Sequence, residues 1–169
     1  MRAKVSLTRQ LGRGTFVRRH DAPSGDGSWS DSSPAEINEI RLLLEPAIAE
    51  WVVARATRSD VDRIRECYTN SLKAKSVEKF EHWDAEFHSS IIKASKNSML
   101  VKIYESINDA RHQIEWYQMK RRSLNALRRS NYDKDHRRIV EALESCNAVA
   151  LREALADHLQ AVGHNMLNP

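Results

Sequence analysis

The stretch Trp-Asp-Ala-Glu-Phe-His at residues 83–88 decides the fold, because it places a carboxylate and an imidazole four residues apart in an amphipathic run. On an α-helix this spacing puts Asp84 and His88 on one face, about one turn apart. Phe80, Phe87 and Ile91 lie on the same face, which is therefore predicted to point at the core. A buried carboxylate is costly unless a partner compensates its charge, and a bound metal ion is one such partner.

Helical periodicity extends to both sides of this stretch, beginning near Glu36. Candidate N-caps at Ser33, Thr57 and Ser76, together with the apolar spacing, predict six helices, at about 34–52, 57–72, 76–94, 97–122, 132–145 and 147–165. Pro46 predicts a slight kink in the first helix, and the polar, basic residues 123–131 predict a turn or an irregular helix. The expected fold is all-α, an antiparallel bundle of about six helices preceded by a short β-hairpin and a linker.

The composition is that of one domain with a short extension. The chain has 169 residues, of which 41% are hydrophobic and 30% are charged, with only 5 Gly and 4 Pro. No apolar run approaches the roughly 18 residues of a membrane span, and the N-terminus lacks the apolar core of a signal peptide. We therefore expect a cytoplasmic protein without a membrane partner, in which Cys67 and Cys146 are buried thiols.

Positive charge is concentrated at the N-terminus. Residues 1–20 contain six Lys or Arg and no acid, so the rest of the chain, with 21 basic and 23 acidic residues, carries about −2. Such an arm suits contact with a polyanion, or is a solvated tail. Residues 4–18 predict two short strands around Gly12 and Gly14, a hairpin too small to be stable alone. Gly, Ser, Asp and Pro at 20–34 predict a flexible linker, so the expected divisions are 1–19, 20–34 and an all-helical domain at 35–168.

Two further histidines fall on apolar helix faces. His136 lies three residues before Ile139, and His158 lies three residues after Leu155. A single histidine on such a face is usually a hydrogen-bonded core residue, but three of them beside Asp84 would bury four ionisable groups at a high desolvation cost. One divalent cation satisfies them together, which predicts a metal site of Asp84, His88, His136 and His158; the alternative is that the four are satisfied by water and by one another. These ligands suit zinc first, with nickel, iron and manganese as alternatives.

Two parts of the chain resemble GntR-type bacterial transcription regulators. Leu-Gly-Arg-Gly-Thr-Phe-Val at 11–17 is similar to the wing that closes their winged helix-turn-helix domain. From Glu36 to Leu167 the chain resembles the all-helical, effector-binding C-terminal domain of the FadR subfamily. The matching stretches are Glu-Ile-Arg-Leu-Leu-Leu-Glu-Pro at 39–46, residues 84–88, Ala-Ser-Lys-Asn at 94–97, Asp-His-Arg-Arg-Ile-Val-Glu-Ala at 135–142 and Ala-Asp-His-Leu at 156–159.

The resemblance implies a metal held by the same four residues, Asp84, His88, His136 and His158, and DNA contact through Arg13 and Thr15 of the wing. In the family, further helices precede the wing and fill the major groove. This chain begins almost at the wing, so DNA binding is expected only if the missing winged-helix part is supplied. A truncated regulator, a misassigned start site and a free effector-binding or dimerising module are the alternatives.

The metal also defines the expected ligand. A divalent ion with one carboxylate and three neutral imidazoles keeps a net charge of about +1, and its open positions suit a carboxylate or hydroxy-carboxylate. The resemblance implies a small organic acid or sugar acid as effector, and a homodimer. Arg41, Asn97 and Arg111 are the candidate effector-binding residues. Arg41 alternatively pairs with Glu45, and Asn97 alternatively caps a helix.

The leading hypothesis is a ligand-sensing regulatory domain of a transcription regulator, in which effector binding modulates DNA binding. The alternative is a small helical metalloenzyme, since an open metal position can activate water. Glu86 lies two residues from Asp84 and projects to the opposite face, where it cannot serve as the general base. We therefore predict that the chain is not an enzyme. The basic run at 120–122 is predicted to be a solvated helix end.

Overall fold

The computed structural model describes residues 4–10, 14–20, 32–111 and 114–167, in two compact units, 1–31 and 32–169. In the first unit, β1 (Lys4–Gln10) and β2 (Gly14–His20) pair antiparallel along their whole length. Thr15 belongs to β2. Arg13, the other predicted DNA contact, and residues 21–31 of the predicted linker lie outside the described residues.

The second unit is helical. In the part of it that the structure describes there are eight helices, namely α1 (Pro34–Ala47), α2 (Ala49–Arg55), α3 (Arg58–Lys73), α4 (Val77–Ala94), α5 (Ser98–Arg111), α6 (Ile114–Ser123), α7 (Ala126–Glu144) and α8 (Ala148–Leu167). The predicted all-α bundle is confirmed. The first predicted helix is divided at Ile48, two residues after Pro46, into α1 and α2. The fourth predicted helix corresponds to α5 and α6, on either side of residues 112–113, which lie outside the described residues.

The helix starts follow local side-chain chemistry. Ser33 and Thr57 each form a capping box with the acidic residue three positions later, and Ser76 accepts a hydrogen bond from the N–H of Lys79. The prediction of a turn or irregular helix at 123–131 was wrong from Ala126 onward. Asn125 caps α7 there by accepting from a backbone N–H, so the helix begins six residues earlier than the apolar spacing indicated.

The buried faces of α4 and α8 organise the core. α4 packs against α2, α3, α5 and α6, while α8 packs against α1, α2, α6 and α7. Phe80, Phe87 and Ile91 of α4 are fully buried, as the sequence pattern predicted. Cys67 is buried as predicted, whereas Cys146 is exposed, because it lies in the turn between α7 and α8. None of the helices in the described residues is long and apolar enough to cross a membrane.

Candidate metal centre

Three helices bring four polar side chains into one buried cluster. Asp84 and His88 come from α4, His136 from α7 and His158 from α8, and each is at most 1% exposed. Asp84 Oδ1 lies 3.3 Å from His136 Nε2 and 3.9 Å from His88 Nε2, and the Nε2 atoms of His136 and His158 are 3.2 Å apart. One candidate ligand atom from each residue lies within 4.8 Å of all the others. The tertiary structure therefore assembles the four residues that the sequence singled out.

The geometry of this cluster fits a metal ion. Zinc–nitrogen and zinc–oxygen bonds of about 2.0–2.1 Å place neighbouring ligands of a tetrahedral ion about 3.3 Å apart. The distances from His136 Nε2 to Asp84 Oδ1, 3.3 Å, and to His158 Nε2, 3.2 Å, are close to this value, and all four ligand atoms lie within 4.8 Å of one another. Within the described residues, Asp84 Oδ1 and His88 Nε2 have no hydrogen-bond partner although both are buried. Buried polar atoms without partners are costly, and a cation at the centre of the cluster would satisfy them.

The protonation states of the cluster also suit a cation. Burial lowers the pKa of His88 to about 4, against the opposing charge of Glu45, so its imidazole is neutral near pH 7. Burial, with the neighbouring His136 and His88, holds the pKa of His158 well below its usual range. Burial alone would raise the pKa of Asp84, but Lys120, His136 and Arg111 together lower it well below the usual value. His88, His158 and Asp84 are thus in the forms that bind metals, namely neutral imidazoles and a carboxylate.

We expect the free energy of unfolding of the chelator-treated protein to fall as the pH falls from 6.5 to about 4. Unfolded His88 takes up its proton at its ordinary pKa of 6.5, whereas the folded residue does so only near pH 4. Unfolding therefore binds a proton throughout this interval. For His88 alone the loss is about 3 kcal/mol, and His158 contributes in the same direction.

Urea unfolding at several pH values between about 7.5 and 5 measures this slope. The substitution His88→Gln removes the titrating group and flattens the dependence. His82→Gln is the matched control, because His82 is exposed on the same helix, and it leaves the slope as it is. If His88→Gln has the same slope as the wild-type chain, the lowered pKa of folded His88 is contradicted.

Positive charges surround the cluster. Arg111 donates from Nη2 to Asp84 Oδ2 at 2.6 Å, so this predicted effector residue contacts a candidate metal ligand directly. Arg41 is fully buried and donates from Nε to Glu45 Oε1 at 2.8 Å, which is the alternative pairing that the sequence left open. Its Nη1 and Nη2 atoms have no hydrogen-bond partner among the described residues. The pairing with Glu45 therefore leaves two guanidinium nitrogens available for a ligand.

Lys120 is a buried cation beside the site that the sequence analysis missed. It was assigned to a solvated helix end, yet its side chain is fully buried, whereas Arg121 and Arg122 are exposed as predicted. Its Nζ lies 3.2 Å from Glu81 Oε1 and 5.8 Å from the centre of the Trp116 ring. Trp116 lies four residues earlier on α6, so the spacing that placed both on one face was the available signal.

The third predicted effector residue, Asn97, serves as a helix cap. Its side-chain oxygen accepts from the backbone N–H groups of Met99 and Leu100, each at 3.1 Å, at the start of α5. None of the hydrogen bonds found for Asn97 reaches the cluster. Capping a helix, which the sequence analysis gave as the alternative for Asn97, is therefore what its side chain does in the fold.

A cavity of about 300 Å³ lies beside the cluster. It is lined by Glu78, Glu81, His82, Ala85, Arg111, Trp116 and Tyr117. Arg111 connects the cavity with the cluster, since it lines the cavity and also donates to Asp84. Trp116 stands beside three cations, with Arg41, Arg111 and Lys120 within 6.0 Å of its ring centre. Arg111 and Trp116 also line the cavity, so two members of this aromatic and cationic group face it.

The fold is an all-helical bundle with a buried Asp and three buried histidines at its centre, and comparison with known families identifies its class. The FCD domain model matches residues 36–161, so the chain belongs to the FCD family. Domains of this family are of the metal-binding type in general, and the cluster lies inside the matched range.

The relatives are transcription regulators of the GntR family. The chain is 31% identical over 142 residues to the Uxu operon transcriptional regulator of Escherichia coli K12, covering 82% of this chain and 55% of the relative. It is 28% identical over 134 residues to the Uxu operon regulator of Haemophilus influenzae, covering 78% and 50%. The chain spans about half the length of the curated relatives it matches. These relatives are regulators and not enzymes, which confirms the prediction that the chain is not an enzyme.

Solved structures give the same family. The chain is similar to the Streptococcus agalactiae GntR structure with a TM-score of 0.65 and 28% identity, covering 94% of this chain and 74% of that one. It shares its fold with the metal-free FCD domain of the regulator TM0439, with a TM-score of 0.62 and 24% identity, covering 80% and 91%. The resemblance to GntR-type regulators is thereby confirmed.

Proposed function

We propose that this chain is the ligand-sensing part of a GntR-type transcription regulator, which binds a divalent metal ion and a small carboxylate effector at one buried site. The observation that carries the proposal is the convergence of Asp84, His88, His136 and His158 from three helices, with buried cations beside them. Regulators of this family bind DNA and small effectors and often dimerise. We propose DNA binding and gene control for a whole regulator that contains this domain.

The four ligands support zinc as the first choice of metal. Imidazole nitrogens and carboxylate oxygens are common zinc ligands, and one such atom from each of the four residues lies within 4.8 Å of the others. Nickel, iron and manganese accept the same donors with additional open positions. When bound, the ion supplies a positive charge that a carboxylate oxygen can approach directly.

The charge balance around the cluster supports an anionic ligand. Three cations face three carboxylates here, namely Arg41, Arg111 and Lys120 against Glu45, Glu81 and Asp84. Because these six charges cancel, the charge of a bound metal ion remains to be neutralised. A small carboxylate or sugar acid does so, and its remaining oxygens suit the unpaired nitrogens of Arg41.

The cavity supports a ligand of small size. Its volume of about 300 Å³ lies at the lower end of the range for small-molecule pockets. Arg111 lines it and also donates to Asp84, so a carboxylate in the cavity can reach a guanidinium that contacts the cluster. This arrangement favours compact organic acids and sugar acids over long acyl chains.

Effector binding would act by changing helix packing. The site draws residues from α1, α4, α5, α6, α7 and α8, so a ligand that pulls them together biases the bundle toward one arrangement. In a complete regulator this shift would alter the DNA-binding part, where we propose that Arg13 and Thr15 of the wing contact DNA. We also propose a cytoplasmic location, because a bacterial transcription regulator acts on DNA.

Native mass spectrometry of the chain, purified without added metal, tests the proposal, followed by titration with acetate, L-lactate, citrate and D-glucuronate. We expect about one divalent ion per chain and saturable binding of at least one carboxylate. The four-residue variant with Asp84→Asn and all three histidines changed to Gln is the control, and it should bind neither. Absence of metal from the wild-type chain after incubation with zinc, nickel, iron and manganese contradicts the proposal.

A homodimer is also expected, and exposed apolar side chains show where to test it. Leu43 on α1 is 70% exposed, and Met99 on the neighbouring helix α5 is 67% exposed. We predict that Leu43→Glu lowers the sedimentation coefficient to that of a monomer at concentrations where the wild-type chain is a dimer. Leu127→Glu is the control, because Leu127 is equally exposed but lies on α7. Loss of the dimer in the control alone contradicts this assignment.

A further inference from the structure

One buried carboxylate, Glu45, joins three helices around the cluster. Glu45 lies near the end of α1, is fully buried, and immediately precedes Pro46. Its Oε1 accepts from Arg41 Nε at 2.8 Å and from Tyr104 Oη, on α5, at 2.7 Å. Its Oε2 lies 2.5 Å from Nδ1 of His88, on α4. Burying a carboxylate is costly, and this one contacts three charged or strongly polar side chains, which indicates a functional role for it.

The contacts of Glu45 define which nitrogen of His88 carries the proton. Arg41 and Tyr104 both donate to this carboxylate, which acts as an acceptor throughout. Nδ1 of His88 therefore donates to Oε2, and in the neutral ring Nε2 keeps its lone pair. Nε2 is the atom that faces Asp84 Oδ1 across 3.9 Å and has no hydrogen-bond partner among the described residues. The contact thus turns a metal-binding lone pair toward the centre of the cluster.

The other two histidines lack an equivalent partner. Nδ1 of His136 and Nδ1 of His158 have no hydrogen-bond partner in the described parts of the chain. The carboxylate nearest to His158 Nδ1 belongs to Asp135, at 3.5 Å. Since an acceptor behind a ligating imidazole orients the ring and raises its basicity, His88 is the ligand that is best prepared in advance.

We propose that Glu45 is the positioning residue of the site, which holds His88 in its metal-binding tautomer and ties it to the guanidinium of Arg41. This inference rests on the proposed function, because it assigns a role toward the metal and the anion. A single carboxylate then orients a ligand on the metal side and a cation on the effector side. Metal binding and anion binding are therefore coupled through α1, the first helix of the bundle.

Zinc affinity in Glu45→Gln tests the proposal, with Tyr104→Phe as the matched control. Gln keeps the size of the side chain but presents one acceptor oxygen and an NH₂ group, so it cannot serve all three donors. We expect competition with a chromogenic chelator to show zinc affinity lowered about 10–100-fold in Glu45→Gln. Tyr104→Phe removes a hydrogen bond to the same carboxylate and leaves the His88 contact intact, so its zinc affinity stays within a few-fold of wild type.

Two further readouts separate positioning from a merely structural role. The visible spectrum of the cobalt-substituted protein reports ligand geometry, and we expect it to change in Glu45→Gln and not in Tyr104→Phe. Long-range proton–nitrogen NMR of the chelator-treated wild-type chain reports the tautomer of His88 without any variant at Glu45. We expect the proton on Nδ1, and a proton on Nε2 instead overturns the proposal even if Glu45→Gln fails to fold.

The outcomes also distinguish this inference from the proposed function. If the wild-type chain binds zinc and Glu45→Gln binds it equally well, with an unchanged cobalt spectrum, the role of Glu45 alone is overturned. If the wild-type chain binds no metal, the metal site fails, and the role of Glu45 fails with it.

Discussion

Saturating zinc should raise the melting temperature of the chelator-treated chain strongly, and removal of a single histidine should abolish most of that rise. A ligand present at a thousandfold excess over its dissociation constant adds about 4 kcal/mol to the stability of the folded state. For a bundle of this size that corresponds to an increase of about 10–15 °C. His158→Ala removes one of four ligands from the buried cluster, so we expect at most a small rise with zinc.

Differential scanning fluorimetry with zinc and with chelator measures this effect. His164→Ala is the matched control, because His164 is exposed on the same helix, and it should keep the full zinc-dependent rise. His136→Ala should behave like His158→Ala. Equal losses of melting temperature in zinc and in chelator for both buried histidines would falsify ligation and leave a purely structural role.

Lys120→Met should weaken carboxylate binding to the zinc-loaded chain about 10–100-fold, since a hydrogen bond to a charged group contributes about 1.5–3 kcal/mol. Met retains most of the side-chain volume and removes the buried charge beside Glu81 and Trp116. Among the described residues, Lys120 Nζ pairs with Glu81 and makes no hydrogen bond or ion pair with the four candidate metal ligands. Zinc affinity should therefore change little.

Isothermal titration of the zinc-loaded protein measures this loss, with whichever of acetate, L-lactate, citrate or D-glucuronate binds the wild-type chain best. Arg121→Met is the control, because Arg121 is the next residue on α6 and is exposed. If both variants bind the anion as tightly as wild type, Lys120 has no part in the effector site. If both lose affinity equally, the effect is a general one of net charge.

The sequence predicted the cluster of one Asp and three His because each of its members lies on an apolar helix face. Asp84 and His88 are one turn apart on α4, and His136 and His158 interrupt apolar stripes on α7 and α8. Buried ionisable groups are rare enough that four of them on three helices indicate a shared partner. The structure added the distances, which depend on how the three helices cross and which no local pattern contains.

The surroundings of the cluster were predicted less well, for a physical reason. Lys120 belongs to a run of three basic residues, and such a run normally lies in solvent; only the packing of α6 over the cluster buries its first member. Glu45 was foreseen as a partner for Arg41, but its contact with His88 joins residues 43 positions apart. Asn97 showed the opposite case, since a local capping pattern was sufficient to explain it.

By itself, the sequence determined that the chain forms a helical bundle and which four side chains could bind a metal, because helix periodicity and the cost of burying charge act along the local chain. Only the tertiary structure decided the rest. It determined that Lys120 is buried, that Arg111 contacts Asp84, and that Glu45 stands behind His88. These contacts join residues on different helices, and their energies depend on distances and on exclusion of water that exist only once the helices have packed.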